Sequence, residues 1–238
     1  MIPSPNKSTI NLGNITVDVE LKKIKNIHMR IYSQDGRVYM SVPEILGFDG
    51  AKEFALKKID WINKNLAKFS NRTKLQPLMY ITGEQHFFFG EKYALQIIEK
   101  TGRPVVSVSN GFLVLKLNQS STVEQRKLLL EKWYRKQLEL IIPGYISKWE
   151  PLMNVRVKDF GIRKMKTKWG VCDVKNKIIR VNLELGRRHV RLLEYIIVHE
   201  MVHLLERRHN KIFYTYMNHY LPGWRLYKAE LNRSPVQD

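Results

Sequence analysis

The stretch "EYIIVHEMVHLLERRHNKIFYTY", Glu194 to Tyr216, sets His199, Glu200, His203 and His209 among mostly apolar residues. On an α-helix, positions i and i+4 lie about 40° apart, so His199 and His203 share one face and can grip one ion. Glu200, about 100° round from His199, can reach a water beside that ion without ligating it. His209 is the demanding residue. On an unbroken helix it would sit about 240° round from His203 and about 9 Å along the axis, too far to share the ion. The helix must therefore stop first. "LLERRHN" permits a stop, because Arg207 and Arg208 suit a helix C-terminus and Asn210 suits the N-cap of a second helix through "KIFYTYMNHYL". The reading is a first helix ending near Arg207, a second starting at Asn210, and His209 at the corner, preferred over His219 as third ligand.

From seven His and fifteen Glu in the chain, composition alone would yield the H-E-x-x-H pattern about 0.01 times. A core helix with hydrogen-bonded histidines would show the same apolar neighbours, Ile196, Ile197, Val198, Met201, Val202, Leu204 and Leu205. A dry surround is also what a metal helix requires, since it strengthens the electrostatics of the site. Three nitrogen ligands and one open position are the donor set of hydrolytic Zn2+, with a carboxylate such as Glu200 to take the proton from water.

Composition narrows the class. The 238 residues are enough to bury a sizeable core. A single cysteine, Cys172, excludes an intramolecular disulfide, and with no apolar leader or membrane-length apolar run it points to a cytoplasmic, membrane-free protein. Lys and Arg number 41 against 22 Asp and Glu, a formal charge of +19, which favours polyanionic partners. Nucleic acid is thus an expected partner, although neither a zinc finger nor an RNP-type aromatic motif is visible.

The expected fold class is α+β. Residues 1–118 read as a mainly-β region with one helix. "ITVDVEL" alternates as a strand, Asp35-Gly36 joins two alternating runs as a hairpin, and "DGAKEFALKKIDWINKNLAKF" is a helix capped by Asp49 with Phe54, Ile59, Ile62 and Leu66 on its apolar face. Short strands return from Met79 to Leu117. Residues 119–238 read as a long helix capped by Ser120 or Ser121 and interrupted or bent at Pro143-Gly144, then a small sheet, then the histidine helices. Lys164, Lys166 and Lys168 alternate with Met165, Thr167 and Trp169, so a strand there would form a basic stripe able to meet nucleic acid. Asn176 falls in the turn before "KIIRVNLEL". No internal repeat is visible.

Three segments carry a resemblance to the YgjP-like metallopeptidases, a group near the SprT-like and Wss-type proteases. "KWGVC" (Lys168 to Cys172) is similar to the family's R-W-G-S-C, "VHEMVHLLERRHNKIF" to its V-H-E-L-A-H-x5-H-S/N-x-x-F, and "LPGWR" to its L-P-D-Y-R. The N-terminal "GRVYMSVP" through "IDWINKNL" also resembles the family's first half, less specifically. Val171 stands where the family has Ser, and Gly223-Trp224 where it has Asp-Tyr. The resemblance implies a zincin-type peptidase domain over residues 119–238, with zinc on His199, His203 and His209, Glu200 as general base, and a peptide or protein substrate.

In similar peptidases an edge strand before the zinc helix pairs with the extended substrate, which would put Trp169 and Cys172 beside it. By residue type Trp169 reads first as a packing residue and Cys172 as an inert buried thiol. Tyr214, Tyr216, His219, Tyr220 and Arg225 are the candidates for stabilising an oxyanion, and the sequence does not choose among them. His28, His86 and His189 have no partner at ligand spacing and read as structural or exposed.

Overall fold

The computed structural model describes residues 6–32, 36–70 and 78–233. The chain divides into two compact units, Met1–Pro77 and Leu78–Asp238. In the first, β1 (Lys7–Leu12), β2 (Ile15–Lys22), β3 (His28–Ile31) and β4 (Val38–Pro43) form a sheet in the order β1-β2-β4-β3, whose central pair is parallel. β2 buries Ile15, Val17 and Val19 at every second position, which is the expected alternation. β3 and β4 pair antiparallel as the hairpin reading requires. Gly36, at φ +72, donates to the Tyr32 carbonyl at 2.8 Å, while Asp35 lies outside the described residues.

The expected single helix is two, α1 (Gly47–Lys57) and α2 (Ile59–Ser70), broken at Lys58 with φ −107 and ψ 10. Asp49 lies inside the first turn of α1 and does not cap it; Leu46 occupies the N-cap. Ala51, Ala55 and Ile62 are fully buried under the sheet, and Phe54, Ile59 and Leu66 pack beside them.

The second unit holds another four-stranded sheet, β5 (Gln85–Phe88), β6 (Glu91–Glu99), β7 (Val105–Ser109) and β8 (Phe112–Leu117). Its order, β5-β6-β8-β7, and its parallel central pair repeat the pattern of the first sheet, a likeness of topology that no repeat in the sequence announces. The 31-residue α3 (Val123–Met153) buries Leu130, Tyr134, Leu138, Ile142 and Ile146 down one seam. Leu113, Leu115 and Leu117 of β8 belong to the same core. The compact division therefore falls at Pro77, whereas the sequence suggested Asn118.

Thr122, one residue beyond the expected serines, is the N-cap of α3. It accepts from Gln125 N at 3.2 Å, and the Gln125 side chain accepts from Thr122 N at 2.9 Å, closing a capping box. Pro143 does not interrupt the helix. It and Glu139 are both exposed, so the carbonyl left without a donor is open to water.

β9 (Asp159–Arg163), β10 (Gly170–Asp173) and β11 (Ile178–Asn182) form the small mixed sheet in the order β10-β11-β9, leaving β10 at an edge. Asn176 sits in the β10–β11 turn, with hydrogen bonds to both Asp173 oxygens. Residues 164–169 are not a strand, so the alternating lysines do not form a stripe. A 3-10 turn, Leu183–Arg187, leads to α4 (Val190–Val202), α5 (Lys211–Tyr220) and α6 (Trp224–Arg233). That turn is a buried platform. Glu184 and Arg187 pair at 3.2 Å, and the Arg187 guanidinium lies 4.8 Å from the Tyr134 ring centre.

The β5–β6 turn clamps this platform. Phe89 N donates to the Gly186 carbonyl at 2.9 Å, and a Cβ on Gly90 (φ +91) would come within 2.9 Å of the His189 Cα. His189 is the N-cap of α4, its Nδ1 accepting from Arg191 N at 3.2 Å. A side chain at position 90 must push on the start of the histidine helix. Gly90→Ala is expected to lose about 1–3 kcal/mol of stability in urea unfolding, from the left-handed backbone and the clash together.

Candidate metal centre

The histidine helix stops earlier than the sequence suggested. Val202 is the last residue of α4 and His203 its C-cap. The chain then tightens, with Leu204 N donating to Met201 O at 3.0 Å and Leu205 N to Val202 O at 2.9 Å. Glu206 accepts from Arg208 N at 2.9 Å and holds the loop. α5 then starts as expected: Asn210 is its N-cap, and its Oδ1 accepts from Phe213 N at 3.0 Å.

This reversal brings His209 back to the other two histidines. One ligand nitrogen from each of His199, His203 and His209 lies within 4.8 Å of the others, and the Nε2 atoms of His199 and His209 are 3.0 Å apart. Tetrahedral zinc with bonds of roughly 2.0–2.1 Å would hold its nitrogens about 3.3 Å apart, so the His199–His209 pair stands near that spacing and the three-nitrogen donor set suits such an ion. His203 Nδ1 is 3.3 Å from the Glu206 carbonyl. A carbonyl can only accept, so Nδ1 carries the proton and Nε2 is left with its lone pair for a metal. His199 Nδ1 is buried with no hydrogen-bond partner among the described residues.

Phe213 forms the floor. It is fully buried, and its ring centre lies 5.0 Å from that of His199, 4.7 Å from that of His203 and 4.6 Å from that of His209. Burial lowers the His199 pKa to about 3, with the neighbouring imidazoles adding to the effect. It lowers that of His203 too, so both rings stay neutral and keep their lone pairs at neutral pH.

Glu200 is only 4% exposed, and burial raises its carboxyl to about 8, opposed by the nearby Lys168 ammonium. It lies against Gly170, at the start of β10. A Cβ there would collide with Glu200 Oε1 and come within 2.8 Å of Ile196 Cγ2. The glycine of "KWGVC" is thus what lets the carboxylate sit beside the strand.

The loop before β10 is fixed by Asn182, a fully buried residue that the sequence reading passed over. Its Nδ2 donates to the carbonyls of Met165 at 2.7 Å and Lys168 at 2.8 Å, and its N donates to Trp169 O at 2.8 Å. These bonds hold residues 165–169 as a loop, with Lys164 paired to Glu131 at 2.8 Å and Lys168 at the cleft. Trp169 and Cys172 are half-buried and line the same cleft, as does Tyr195. Burial pushes the Cys172 thiol up to about 12, so it stays protonated.

None of Tyr214, Tyr216, His219, Tyr220 and Arg225 lines the cleft. Tyr214 stacks on Trp224, Tyr216 on Tyr220, and Arg225 donates to Asn218 Oδ1 at 2.8 Å. Tyr195 is the phenol that the sequence reading missed; it stands one turn before His199 on α4, with ring centres 5.9 Å apart. The other histidines stay apart, as read: His28 is exposed, His86 is buried against Glu84 at 2.9 Å, and His189 caps α4. No helix of the described residues is long and apolar enough to cross a membrane.

The family model described as YgjP-like, metallopeptidase domain, matches residues 25–234. Among solved structures, the chain matches the metallopeptidase zymogen abylysin of Pyrococcus abyssi at 17% identity, over 40% of this chain and 99% of that one, with a TM-score of 0.35. No curated protein matches the chain.

Asn182→Leu leaves the Met165 and Lys168 carbonyls without their donor. The expected loss is on the order of 2–3 kcal/mol, together with faster amide hydrogen exchange across residues 165–169, read by mass spectrometry.

Proposed function

Since the chain belongs to the YgjP-like metallopeptidase family, we propose that it hydrolyses peptide bonds with zinc held by His199, His203 and His209 and with Glu200 as general base. The observation that carries this reading is the convergence of the three imidazole nitrogens within 4.8 Å beside a buried carboxylate. We assign the chemistry to the segment 119–238.

Zinc in this donor set supplies a Lewis acid that polarises the scissile carbonyl and acidifies the attacking water. The protein's own part is to hold and move protons. Glu200, kept in place by Gly170, takes the proton of the attacking water and returns it to the leaving amine. Burial raises its proton affinity in the metal-free protein, and a dication held by the three histidines would lower it again towards the range of a general base. His203 keeps its tautomer through the Glu206 carbonyl, and Phe213 excludes water from beneath the three rings.

Three variants separate these roles. Glu200→Gln is expected to keep zinc, measured by metal analysis of the purified protein, and to lose peptide hydrolysis by about 10³-fold. Full activity in that variant would refute the mechanism. His203→Ala is expected to lose zinc and activity together. Gly170→Ala is expected to keep zinc yet lower kcat by about 10²-fold, since the added methyl displaces the Glu200 carboxylate.

A further inference from the structure

Cations ring the metal cleft. Lys168 precedes β10, Lys175 lies in the β10–β11 turn, Arg180 is on β11, Arg207 follows α4 and Lys228 is on α6; all five line the cleft with the three histidines. Three separate parts of the chain contribute, the β10–β11 hairpin with its lead-in, the loop after α4, and α6, so this is not the solvated face of a single helix. Opposing charge is scarce: of the described acidic residues, Asp173 and Glu200 alone line the cleft. Both Asp173 oxygens accept from Asn176, at 3.1 and 2.9 Å, and Glu200 is buried.

None of the five cations makes an ion pair with a described acidic residue. Elsewhere in the same unit Lys148, Lys164 and Arg191 reach Glu194, Glu131 and Glu230 at 2.7, 2.8 and 3.0 Å. Carboxylates were thus within reach of the fold, yet the cleft holds five cations against two carboxylates, and only Asp173, which feels the nearby Arg180, and the buried Glu200 oppose them. Its volume, about 1060 Å3, lies at the top of the roughly 300–1,000 Å3 range of small-ligand pockets. That is room for a short run of residues.

We propose that the cleft selects peptides carrying Asp or Glu side chains next to the scissile bond, an inference that rests on the peptidase reading above. Unpaired cations around a low-dielectric floor attract an anionic chain and reject a cationic one. Acidic peptide is favoured over nucleic acid because the cations surround one bounded cleft. A polynucleotide calls for a longer basic track, and the alternating lysines do not supply one, with Lys164 already paired.

Two fluorescent peptides of one sequence, the second with every Glu and Asp changed to Gln and Asn, test this. Binding is read by anisotropy on the zinc-loaded Glu200→Gln protein, and turnover as kcat/KM on the wild type. The acidic peptide is expected to bind about 10-fold more tightly at low salt, and the ratio to fall towards one at about 1 M salt. The double variant Lys175→Gln, Arg180→Gln is expected to lose the preference. Lys136→Glu, on the exposed side of α3, keeps it.

Equal binding of the two peptides overturns the proposal, as does a preference that the double variant retains. Displacement of the acidic peptide by a single-stranded oligonucleotide more readily than by poly-glutamate of equal charge also overturns it. If neither peptide is cleaved but the acidic one is still preferred, and the double variant abolishes that preference, the peptidase reading fails and the anion-selective cleft stands.

Discussion

The reversal of the chain between Val202 and Lys211 is the constraint on which the centre depends. The spacing of His199 and His203 on α4 supplies two of the three imidazoles, and no continuation of that helix could bring in His209. The tightened bonds from Leu204 and Leu205 end α4, and Asn210 starts α5 by accepting from Phe213 N. The residue whose amide is capped is also the one whose ring lies under all three imidazoles. Turn, cap and floor are therefore coupled: losing the cap would move the floor, and moving the floor would separate the ligands.

The supports of α4 are equally indirect. Its N-terminus rests on a buried ion pair and on the β5–β6 turn, where a glycine is required by the approach of His189. The face of α4 that carries Glu200 rests on β10, where a glycine is required by that carboxyl group. Both contacts pass through positions without a side chain, so the geometry of the centre depends on what is missing at Gly90 and Gly170 as much as on the histidines.

The features legible in the sequence were those set by local periodicity. The H-E-x-x-H spacing, the break before His209, the Asn210 cap and the alternation of β2 all follow from one stretch of chain and its own geometry. What escaped was decided by distant partners. The alternation from Lys164 to Trp169 looks like a strand, but the side chain of Asn182 takes two of its carbonyls, and a strand cannot form around those bonds. Thr122 caps α3 in place of its serine neighbours because Gln125 stands three residues after it and completes the box. The division at Pro77 escaped because β8 reads as strand whichever unit it joins, and only the packing of Leu113, Leu115 and Leu117 with α3 assigns it.

The centre and its rim obey different electrostatics. Around Glu200 and His199 burial lowers the effective dielectric and dominates the proton affinities. The exposed members of the rim, such as Lys168, Lys175, Arg207 and Lys228, stand in water. There a charge is screened beyond about 8–10 Å at ordinary ionic strength. If the rim captures substrate and protons move at the floor, as proposed, added salt should act on capture before it acts on the proton transfers. The same division explains how a strongly basic chain can leave the proton affinity of Glu200 raised. Of the described groups, Lys168 is the only cation that opposes the burial of Glu200, and it does not cancel it. The excess positive charge surrounds the chemistry without neutralising it.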